Sequence, residues 1–424
     1  AFIPEFQPKG FITTLDMMSE PEAGAGPKTA TTPSERIGAP DQGDFVDSED
    51  EYEFDEVAED PELYAQGLYY PTYIGEILAN RYRIDHKLGH GGFSVVWMAY
   101  DMLSKRDVAL KVMVYGDAGE HEYHVQREVA NAVSDTSRLL LCQDAFILSG
   151  PHGHHRVLVL PLQGPNLRDH IREKPIVARM LAAKQLLHGL RALHEGGIVH
   201  RDLNSANVMF GLCPLSSQDT TTKYQYIGRP RKMMLPYVPW KPCELVMPMA
   251  PQKELITDDV YLGDFGMAIR AGTPVVQKVQ SPAKYCAPER VHGMNPSFVS
   301  DMWSYMCLFA ELYGKYPLFS GSANSTVISF IVDTLGPLPV QWKGLYDAGG
   351  LCDPEWYSQH RKPSSHLGLE NKITLLRPDI ATTEQRLVLD ILRWGFSYLP
   401  EHRPTAAQLL DSVLFKDLMA IYGL

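Results

Sequence analysis

Short runs in which hydrophobic and polar residues alternate dominate the chain between residues 82 and 160. Runs of this kind, rich in β-branched and aromatic residues and bounded by glycine or polar turns, are typical of strands. Five segments have the pattern: Tyr82 to Leu88, Val95 to Tyr100, Val108 to Val114, Asp144 to Leu148 and Arg156 to Leu160. Glu120 to Ser134 has a helical pattern instead, so five strands and one helix are predicted for this region.

The spacing of apolar residues becomes helical after Gly164. Ile176 to Glu195 has apolar residues at intervals of three and four, which predicts a long amphipathic helix. Met302 to Phe319 is strongly apolar, but two charged residues interrupt it, so a buried helix is predicted rather than a membrane span. Residues 211–257 are rich in proline and lack periodicity, and we predict that they form an insertion loop.

Acidic residues are concentrated at the start of the chain. The 424 residues carry a formal charge of -12, and residues 1–66 contain 17 acidic and 3 basic residues. Because the run Asp41 to Asp60 should repel itself, residues 1–66 are predicted to be a disordered acidic tail, with regulation or substrate mimicry as an alternative. The rest of the chain is nearly neutral, which argues against a general nucleic-acid-binding surface.

Six cysteines are scattered along the chain without any C-x-x-C pair. This spacing gives no support to a zinc site or a disulfide framework, and isolated thiols fit a reducing compartment. The first residues show no basic segment followed by an apolar run, so no signal peptide is predicted. We therefore expect a protein of the cytoplasm, the nucleus or both, without membrane association.

Two motifs on the predicted strands could bind phosphate. The first is the turn Leu88 to Val96, whose three glycines would let the backbone bend tightly and approach an anion, although glycine-rich hairpins are common. The second is Lys111, which lies within an apolar run and therefore needs an anionic partner or a path to solvent. Glu128, on the helix that follows, is the predicted carboxylate partner.

Three further motifs follow in the helical part of the chain. His200 to Asn207 reads H-R-D-L-N-S-A-N, in which Asp202 would orient an acceptor hydroxyl and Asn207 would offer an oxygen to a hard cation. Asp264 begins D-F-G and would chelate magnesium, and Ala287-Pro288-Glu289 follows it. Their order and spacing together indicate phosphoryl transfer, which needs positioning and charge neutralisation rather than covalent chemistry.

With these motifs the chain resembles the eukaryotic protein kinase family over residues 67–424. Ser300-Asp301-Met302-Trp303-Ser304 is similar to the buried helix whose aspartate holds the catalytic loop. Arg403 is similar to the arginine that pairs with the glutamate of A-P-E, here Glu289. The resemblance implies an α+β, bilobal fold, with a small antiparallel-sheet lobe over residues 67–163 and a larger helical lobe over residues 164–424.

The resemblance also implies which residues hold ATP and Mg²⁺ between the lobes. Asp202, Lys111 and Asn207 are the implied catalytic residues, and Asn207 and Asp264 are the implied magnesium ligands. The implied nucleotide-binding residues are Leu88, Gly89, Gly91, Gly92, Phe93, Ser94, Val96, Ala109, Lys111, Glu128, Leu160, Leu162 and Asp264. The implied activity is transfer of the γ-phosphate of ATP to serine or threonine of another protein, by a monomer.

Within that family the chain is most similar to the SR-protein kinases, especially their fungal members. The similarity rests on Tyr70 to Ile77 before the glycine-rich turn, on Phe93-Ser94 within it, on the insertion before D-F-G, and on Leu335 to Pro339. It implies arginine–serine-rich proteins, such as splicing factors, as one substrate class. Ala283 and Cys286 depart from the basic residues of that group near A-P-E, so this specificity is left open.

Other departures leave alternatives open. Most serine/threonine kinases have a lysine two residues after the catalytic aspartate, where this chain has Asn204, and a threonine at the position of Pro282 that contacts it. The change could be a coupled substitution that preserves the loop, or it could mark a pseudokinase scaffold that binds nucleotide. A small-molecule kinase is a third class, which the A-P-E motif disfavours. Arg201 predicts regulation by phosphorylation of the activation loop, at Thr273 or Ser281.

Overall fold

A computed structural model gives the fold over residues 42–46, 58–280 and 282–424. The predicted acidic tail falls mostly outside these ranges, as does the candidate phosphorylation site Ser281. Residues 58–66, however, are described and do not form a tail, since Glu59 and Tyr64 are buried. The predicted boundary at residue 66 is therefore too late, because Val46 and Ala58 already pack against the apolar cluster of the small lobe.

Thirteen strands are described, and six of them form the sheet of the small lobe. In chain order they are β1 (Asp44–Phe45), β2 (Ile77–Leu78), β3 (Tyr82–Gly91), β4 (Ser94–Asp101), β5 (Arg106–Tyr115), β6 (Asp144–Gly150), β7 (Gly153–Pro161), β8 (Ile198–Val199), β9 (Val208–Leu212), β10 (Arg231–Met234), β11 (Glu244–Val246), β12 (Ile256–Leu262) and β13 (Ile269–Arg270). The sheet has the order β2-β3-β4-β5-β7-β6 with antiparallel pairing throughout. The five predicted strands are confirmed as β3 to β7. The two-residue strand β2 pairs with β3 and forms one edge of the sheet.

Helices make up most of the larger lobe. The described α-helices are α1 (Glu62–Ala65), α2 (Asp117–Ala132), α3 (Leu167–His170), α4 (Ile176–Glu195), α5 (Thr220–Ile227), α6 (Pro288–Val291), α7 (Phe298–Gly314), α8 (Asn324–Leu335), α9 (Leu369–Leu376), α10 (Thr382–Gly395), α11 (Ala406–Asp411) and α12 (Val413–Ile421). Short 3-10 helices lie at Ile171–Glu173, Lys253–Leu255, Ala283–Tyr285, Val340–Trp342, Pro354–Tyr357 and Pro400–His402. The predicted bilobal α+β fold is confirmed.

Two predicted helices of the large lobe are present with small changes at their ends. The prediction for residues 176–195 coincides with α4. The predicted buried helix is α7, which begins earlier, at Phe298, and ends at Gly314 because Lys315 adopts a left-handed conformation with φ of 67°. None of the helices in the described ranges combines the length and apolarity needed to cross a membrane.

The insertion at residues 211–257 is folded, and the prediction of a loop is wrong there. It contains α5, β10 and β11, and its two ends are joined by a 2.8 Å hydrogen bond from the Cys213 N–H to the Leu255 carbonyl. These elements are only three to eight residues long. Such lengths give too few periods for a hydrophobic pattern to show, so tertiary contacts decide the structure.

The insertion packs against both faces of the small-lobe sheet. Trp97 and Met98 are neighbours in β4, so their side chains point to opposite faces, yet both are fully buried. Trp97 belongs to an apolar cluster that includes Leu235, next to β10, whereas Met98 belongs to a second cluster with Tyr224 and Ile227 of α5. The insertion therefore connects the large lobe, from which it emerges, to the sheet of the small lobe.

A buried ion pair fixes α5 against this sheet. Lys223 contacts Asp107 of β5 and lies 3.6 Å from a carboxylate oxygen of Asp85 in β3. The Tyr224 hydroxyl donates a hydrogen bond of 2.9 Å to the Asp85 carbonyl. Because buried charges are tolerated only when they are paired, these contacts specify where α5 lies.

Candidate active site

The glycine-rich turn is a tight hairpin between β3 and β4. Gly91 pairs with Ser94, so Gly92 and Phe93 form the turn, and the Phe93 side chain is 70% exposed. A Cβ atom added at Gly89, Gly91 or Gly92 would meet no other heavy atom within 4 Å. Packing within the protein therefore does not demand glycine here, and the backbone is open to close approach by a ligand, as a phosphate cradle requires.

Cross-strand pairing places four of the predicted nucleotide-binding residues on one face of the sheet. Val96 lies opposite Lys111, and Ala109 lies opposite Leu160. Ala109 and Lys111 share a face because side chains two apart along a strand point the same way. Two further predicted apolar residues of the nucleotide site, Leu88 and Leu162, pack together with α5 of the insertion.

Lys111 lies between two carboxylates from different parts of the chain. Its Nζ is 2.8 Å from both carboxylate oxygens of Glu122 in α2 and 3.1 Å from Oδ1 of Asp264. A close approach of α2 to the sheet makes the first contact possible. Gly119, one turn before Glu122, allows this approach. A Cβ atom added at Gly119 would lie only 2.9 Å from the Cβ of Met113 in β5, so a larger residue would push α2 away from the sheet.

The prediction that Glu128 is the partner of Lys111 is wrong. Glu128 lies six residues after Glu122 on the same helix, so it faces about 120° away, and it pairs with Arg270 instead. The sequence did contain a signal that Glu122 is the partner of Lys111. Val125 and Val129 are buried, and Glu122 precedes them at the same helical spacing, so it belongs to the face that packs on the sheet.

Asp301, in the first turn of α7, holds the catalytic loop between β8 and β9. Its carboxylate accepts backbone hydrogen bonds from His200 at 2.7 Å and Arg201 at 2.9 Å, and it lies 3.2 Å from Nε2 of His194. Burial acts to raise the pKa of Asp301, but these hydrogen bonds outweigh burial and hold that pKa below its usual value. The role implied for Asp301 by the resemblance is confirmed.

Asn207 orients the side chain of Asp202. Its amide group donates to a carboxylate oxygen of Asp202 at 2.8 Å and to the Asp202 carbonyl at 2.9 Å. Burial is the main reason that the pKa of Asp202 is raised, and the negative charge of Asp264 adds to it. The two aspartates are thus close enough to interact, and Asp202 is a better proton acceptor than an ordinary aspartate.

The oxygen atoms of Asp264 and Asn207 form a donor set that fits Mg²⁺, which prefers carboxylate and carbonyl oxygens. Burial would raise the pKa of Asp264, but Lys111 outweighs burial and lowers it, so this carboxylate stays charged. In the described ranges, no three His, Cys, Asp or Glu side chains cluster closely enough to hold a metal by themselves. Phosphate and water oxygens would therefore complete the coordination, and the bound magnesium would neutralise phosphate charge.

Asn204, which replaces the usual lysine, closes the catalytic loop on itself. Its amide nitrogen donates to the Asp202 carbonyl at 3.1 Å, and its amide oxygen accepts from the Ala206 N–H at 2.9 Å. Gln280 of the activation segment donates to the Leu203 carbonyl at 2.8 Å. These contacts favour the interpretation that Asn204 is a coupled substitution that preserves the loop, although they supply no positive charge.

Arg201 binds the main chain of the activation segment. Its guanidinium donates to the carbonyls of Met267 at 3.0 Å and Gln277 at 2.7 Å. Thr273 lies between these two residues and is exposed. Phosphorylation of the segment stays a prediction, since no contact of Thr273 with Arg201 is present.

Arg403 and Glu289 form the buried pair that the resemblance implied. Two parallel hydrogen bonds of 2.7 Å join the guanidinium of Arg403 to the carboxylate of Glu289. Arg403 also donates to the carbonyls of Ser397, Val299 and Tyr398. This bidentate geometry anchors the end of the activation segment to the core of the large lobe.

Comparison with known proteins agrees with this site. A family model described as protein tyrosine and serine/threonine kinase matches residues 82–342. The serine/threonine-protein kinase SRPK of Physarum polycephalum is 29% identical over 339 residues, which cover 70% of this chain and 75% of that protein. A serine/threonine protein kinase of Aspergillus fumigatus is 26% identical over 368 residues, which cover 81% of this chain and 87% of that protein.

A shorter match with higher identity is to SRSF protein kinase 3 of Mus musculus, which is 34% identical over 202 residues. These residues cover 45% of this chain but only 34% of that protein. The family match includes the glycine-rich turn and Asp202, together with Lys111, Glu122 and Asp264, which contact one another through the Lys111 ammonium group. The chain therefore belongs to the protein tyrosine and serine/threonine kinase family and has relatives among the SR-protein kinases.

Proposed function

We propose that this chain is an ATP- and magnesium-dependent protein kinase that phosphorylates serine or threonine residues of other proteins. The observation that carries the proposal is the contact of Lys111 with Glu122 and Asp264, next to Asp202. In protein kinases the lysine–glutamate pair and the aspartate of D-F-G must both be in place for catalysis. Relatives named as serine/threonine kinases support the choice of acceptor residue.

Each residue in the cleft has a distinct role in this proposal. Lys111 supplies a fixed positive charge for phosphate oxygens, since its two carboxylate neighbours keep its pKa above the ordinary value despite burial. Asp202, oriented by Asn207, accepts the proton of the acceptor hydroxyl. Asp264 and Asn207 would hold magnesium, and the open backbone of the glycine-rich turn would bind phosphates.

The test is transfer of radiolabelled phosphate from ATP to a generic basic protein and to an arginine–serine peptide. We expect transfer by the unmodified chain and its loss in Asp202→Ala and in Lys111→Ala. Glu128→Gln is a matched control outside the cleft and should retain transfer. Nucleotide binding without transfer, with either magnesium or manganese, would contradict the proposal and identify the chain as a pseudokinase scaffold.

We further propose arginine–serine-rich proteins as the substrate class. The support is the similarity to SRSF protein kinase 3 and to an SRPK. Peptides of equal length and charge, with arginine replaced by lysine throughout, make a matched comparison because lysine lacks the planar, bidentate guanidinium. A kcat/KM at least tenfold higher for the arginine peptide is expected. Equal values for the two peptides would exclude recognition of arginine.

A further inference from the structure

The glycine-rich turn is contacted by a segment that precedes the sheet. The hydroxyl of Tyr69 donates a hydrogen bond of 2.8 Å to the carbonyl of Gly91, the glycine at the end of β3. Tyr69 is only 3% exposed, and it lies 22 residues before its partner. The contact is therefore a built feature of the fold rather than a surface side chain that happens to lie near the turn.

Tyr69 is itself held rigidly. Its backbone N–H donates to the Leu63 carbonyl at 3.1 Å, and its ring packs edge-on against Tyr64 with the ring centres 5.5 Å apart. The Tyr64 hydroxyl bonds to Glu59, and the other carboxylate oxygen of Glu59 pairs with Lys87, which is also buried. Residues 59–69 thus contact β3 at two points, Lys87 and Gly91. These points lie on either side of Gly89, the first glycine of the turn.

Apart from Tyr69, backbone contacts alone fix the turn: the pairing of Gly91 with Ser94 and a 2.9 Å hydrogen bond from the Val114 N–H to the Phe93 carbonyl. Its glycines carry no side chains, the Phe93 side chain is largely exposed, and added Cβ atoms at Gly89, Gly91 and Gly92 would touch nothing. A flexible turn loses conformational entropy when it closes on a ligand, whereas a turn held in its binding conformation loses less. A hydrogen bond that fixes a carbonyl of the turn should therefore raise the affinity of the turn for its ligand.

We propose that Tyr69 is a positioning residue for nucleotide, which holds the glycine-rich turn in the conformation that binds phosphates. The proposal rests on the proposed function, because it takes the bound ligand to be ATP. Tyr69 does not touch the cleft itself. It acts through the Gly91 carbonyl, and Glu59, Tyr64 and Lys87 keep its hydroxyl in place.

The experiment compares Tyr69→Phe with Tyr70→Phe in the full chain. Both variants lose one hydroxyl, but the Tyr70 ring packs against His155 and Trp240, away from the turn. Titration with magnesium and a non-hydrolysable ATP analogue should give a Kd about three- to tenfold higher for Tyr69→Phe, which is what one net hydrogen bond contributes. Tyr70→Phe should stay within about twofold. Thermal midpoints and the KM for the protein substrate should be close to those of the unmodified chain in both variants.

An unchanged Kd in Tyr69→Phe would overturn the proposal. If the unmodified chain binds no nucleotide, the proposed function fails, and amide hydrogen exchange over residues 89–94 then decides the role of Tyr69. Faster exchange there in Tyr69→Phe alone supports positioning of the turn. Equal exchange in both variants overturns it.

Discussion

Lys111 is the residue on which the charges of the cleft depend. Burial acts to lower its pKa, but Glu122 and Asp264 outweigh burial and raise that pKa, so the ammonium group stays charged. The charged form of Asp264 is stabilised as well. Burial alone would raise the pKa of Asp264, but Lys111 lowers it. Each group is thus stabilised in its charged form only while its neighbours are present, and removal of one partner leaves a buried charge poorly compensated.

Glu122→Gln should lower kcat/KM about five- to tenfold. The substitution keeps the shape of the side chain but replaces a charge-assisted contact of about 1.5–3 kcal/mol by a neutral one. Steady-state kinetics with ATP as the varied substrate measures the change. Glu128→Gln is the matched control on the same helix and should stay within about twofold. A larger loss in Glu128→Gln than in Glu122→Gln would mean that Lys111 changes partner during catalysis.

The pH dependence of kcat/KM should show the raised pKa of Asp202. A protonated Asp202 cannot accept the hydroxyl proton, so activity falls as the pH falls through this pKa. Because burial raises the pKa above 3.8, the acid limb should lie at a higher pH than an exposed aspartate would give. Rates across pH, each checked against unfolding at the same pH, measure it. An acid limb at or below 3.8 would show that burial does not raise the pKa of Asp202.

Residues that belong to a recognisable motif could be predicted, and those whose role depends on a contact outside any motif could not. Asp202 and Asn207 are five residues apart in one loop, and the motif alone identified both. Glu122 lies on the buried face of the predicted helix, so helical periodicity favours it over Glu128, the predicted partner of Lys111. Tyr69 acts on a partner 22 residues away, and no local pattern reveals such a contact.

At the scale of elements, the insertion has the least predictable structure because its partners lie elsewhere in the chain. β10 pairs in parallel with β1, more than 180 residues earlier, and antiparallel with β11. A buried pair of 2.7 Å joins Lys232 of β10 to Glu244 of β11. Long strands and helices with several periods, such as β5 and α4, showed their structure in the sequence, whereas these short elements are specified by tertiary contacts.

Lys223→Ala should destabilise the protein by about 3–5 kcal/mol, because it leaves the buried carboxylate of Asp107 without its charged partner, whereas Asp85 keeps its pair with Arg83. Denaturant unfolding measures this as a change in the free energy of unfolding. Lys253→Ala is the control within the same insertion, since Lys253 forms an exposed pair with Glu173. It should cost less than about 1 kcal/mol. Similar losses in the two variants would show that α5 contributes little to stability.

At the scale of the whole molecule, the two lobes are joined in two ways. The chain passes from β7 to α3 through the linker 162–166, and the insertion makes a second connection by packing on the sheet. The bilobal architecture followed from the motifs and their resemblance to a family. The second connection did not, because a proline-rich segment without periodicity gives no sign of what it packs against.

Excision of residues 214–254, with a short glycine linker in their place, should separate the unfolding of the two lobes. The ends of the excised segment are adjacent, as the hydrogen bond between Cys213 and Leu255 shows, so the cut need not strain β9 or β12. Without the insertion, Trp97 and Met98 lose apolar contacts and become more exposed to water. The small lobe is therefore less stable and should unfold first.

Calorimetry measures this separation. We expect one main transition for the complete chain and two for the excised one, the first at a lower temperature. A single transition at an unchanged temperature would contradict the role of the insertion, and scans at two protein concentrations serve as the control for aggregation.

The start of the insertion and the start of the interlobe linker lie side by side. Both line one cavity of about 190 Å³, the insertion with Leu212 and Cys213 and the linker with Pro161 and Leu162. The insertion is thus attached close to the pivot of any rotation between the lobes, where angular motion causes the smallest displacement. If the small lobe turns together with the insertion, bending falls on three neighbouring chain segments: the linker and the two ends of the insertion. Because these segments lie side by side, they would restrain twisting of the lobes more than a single linker could.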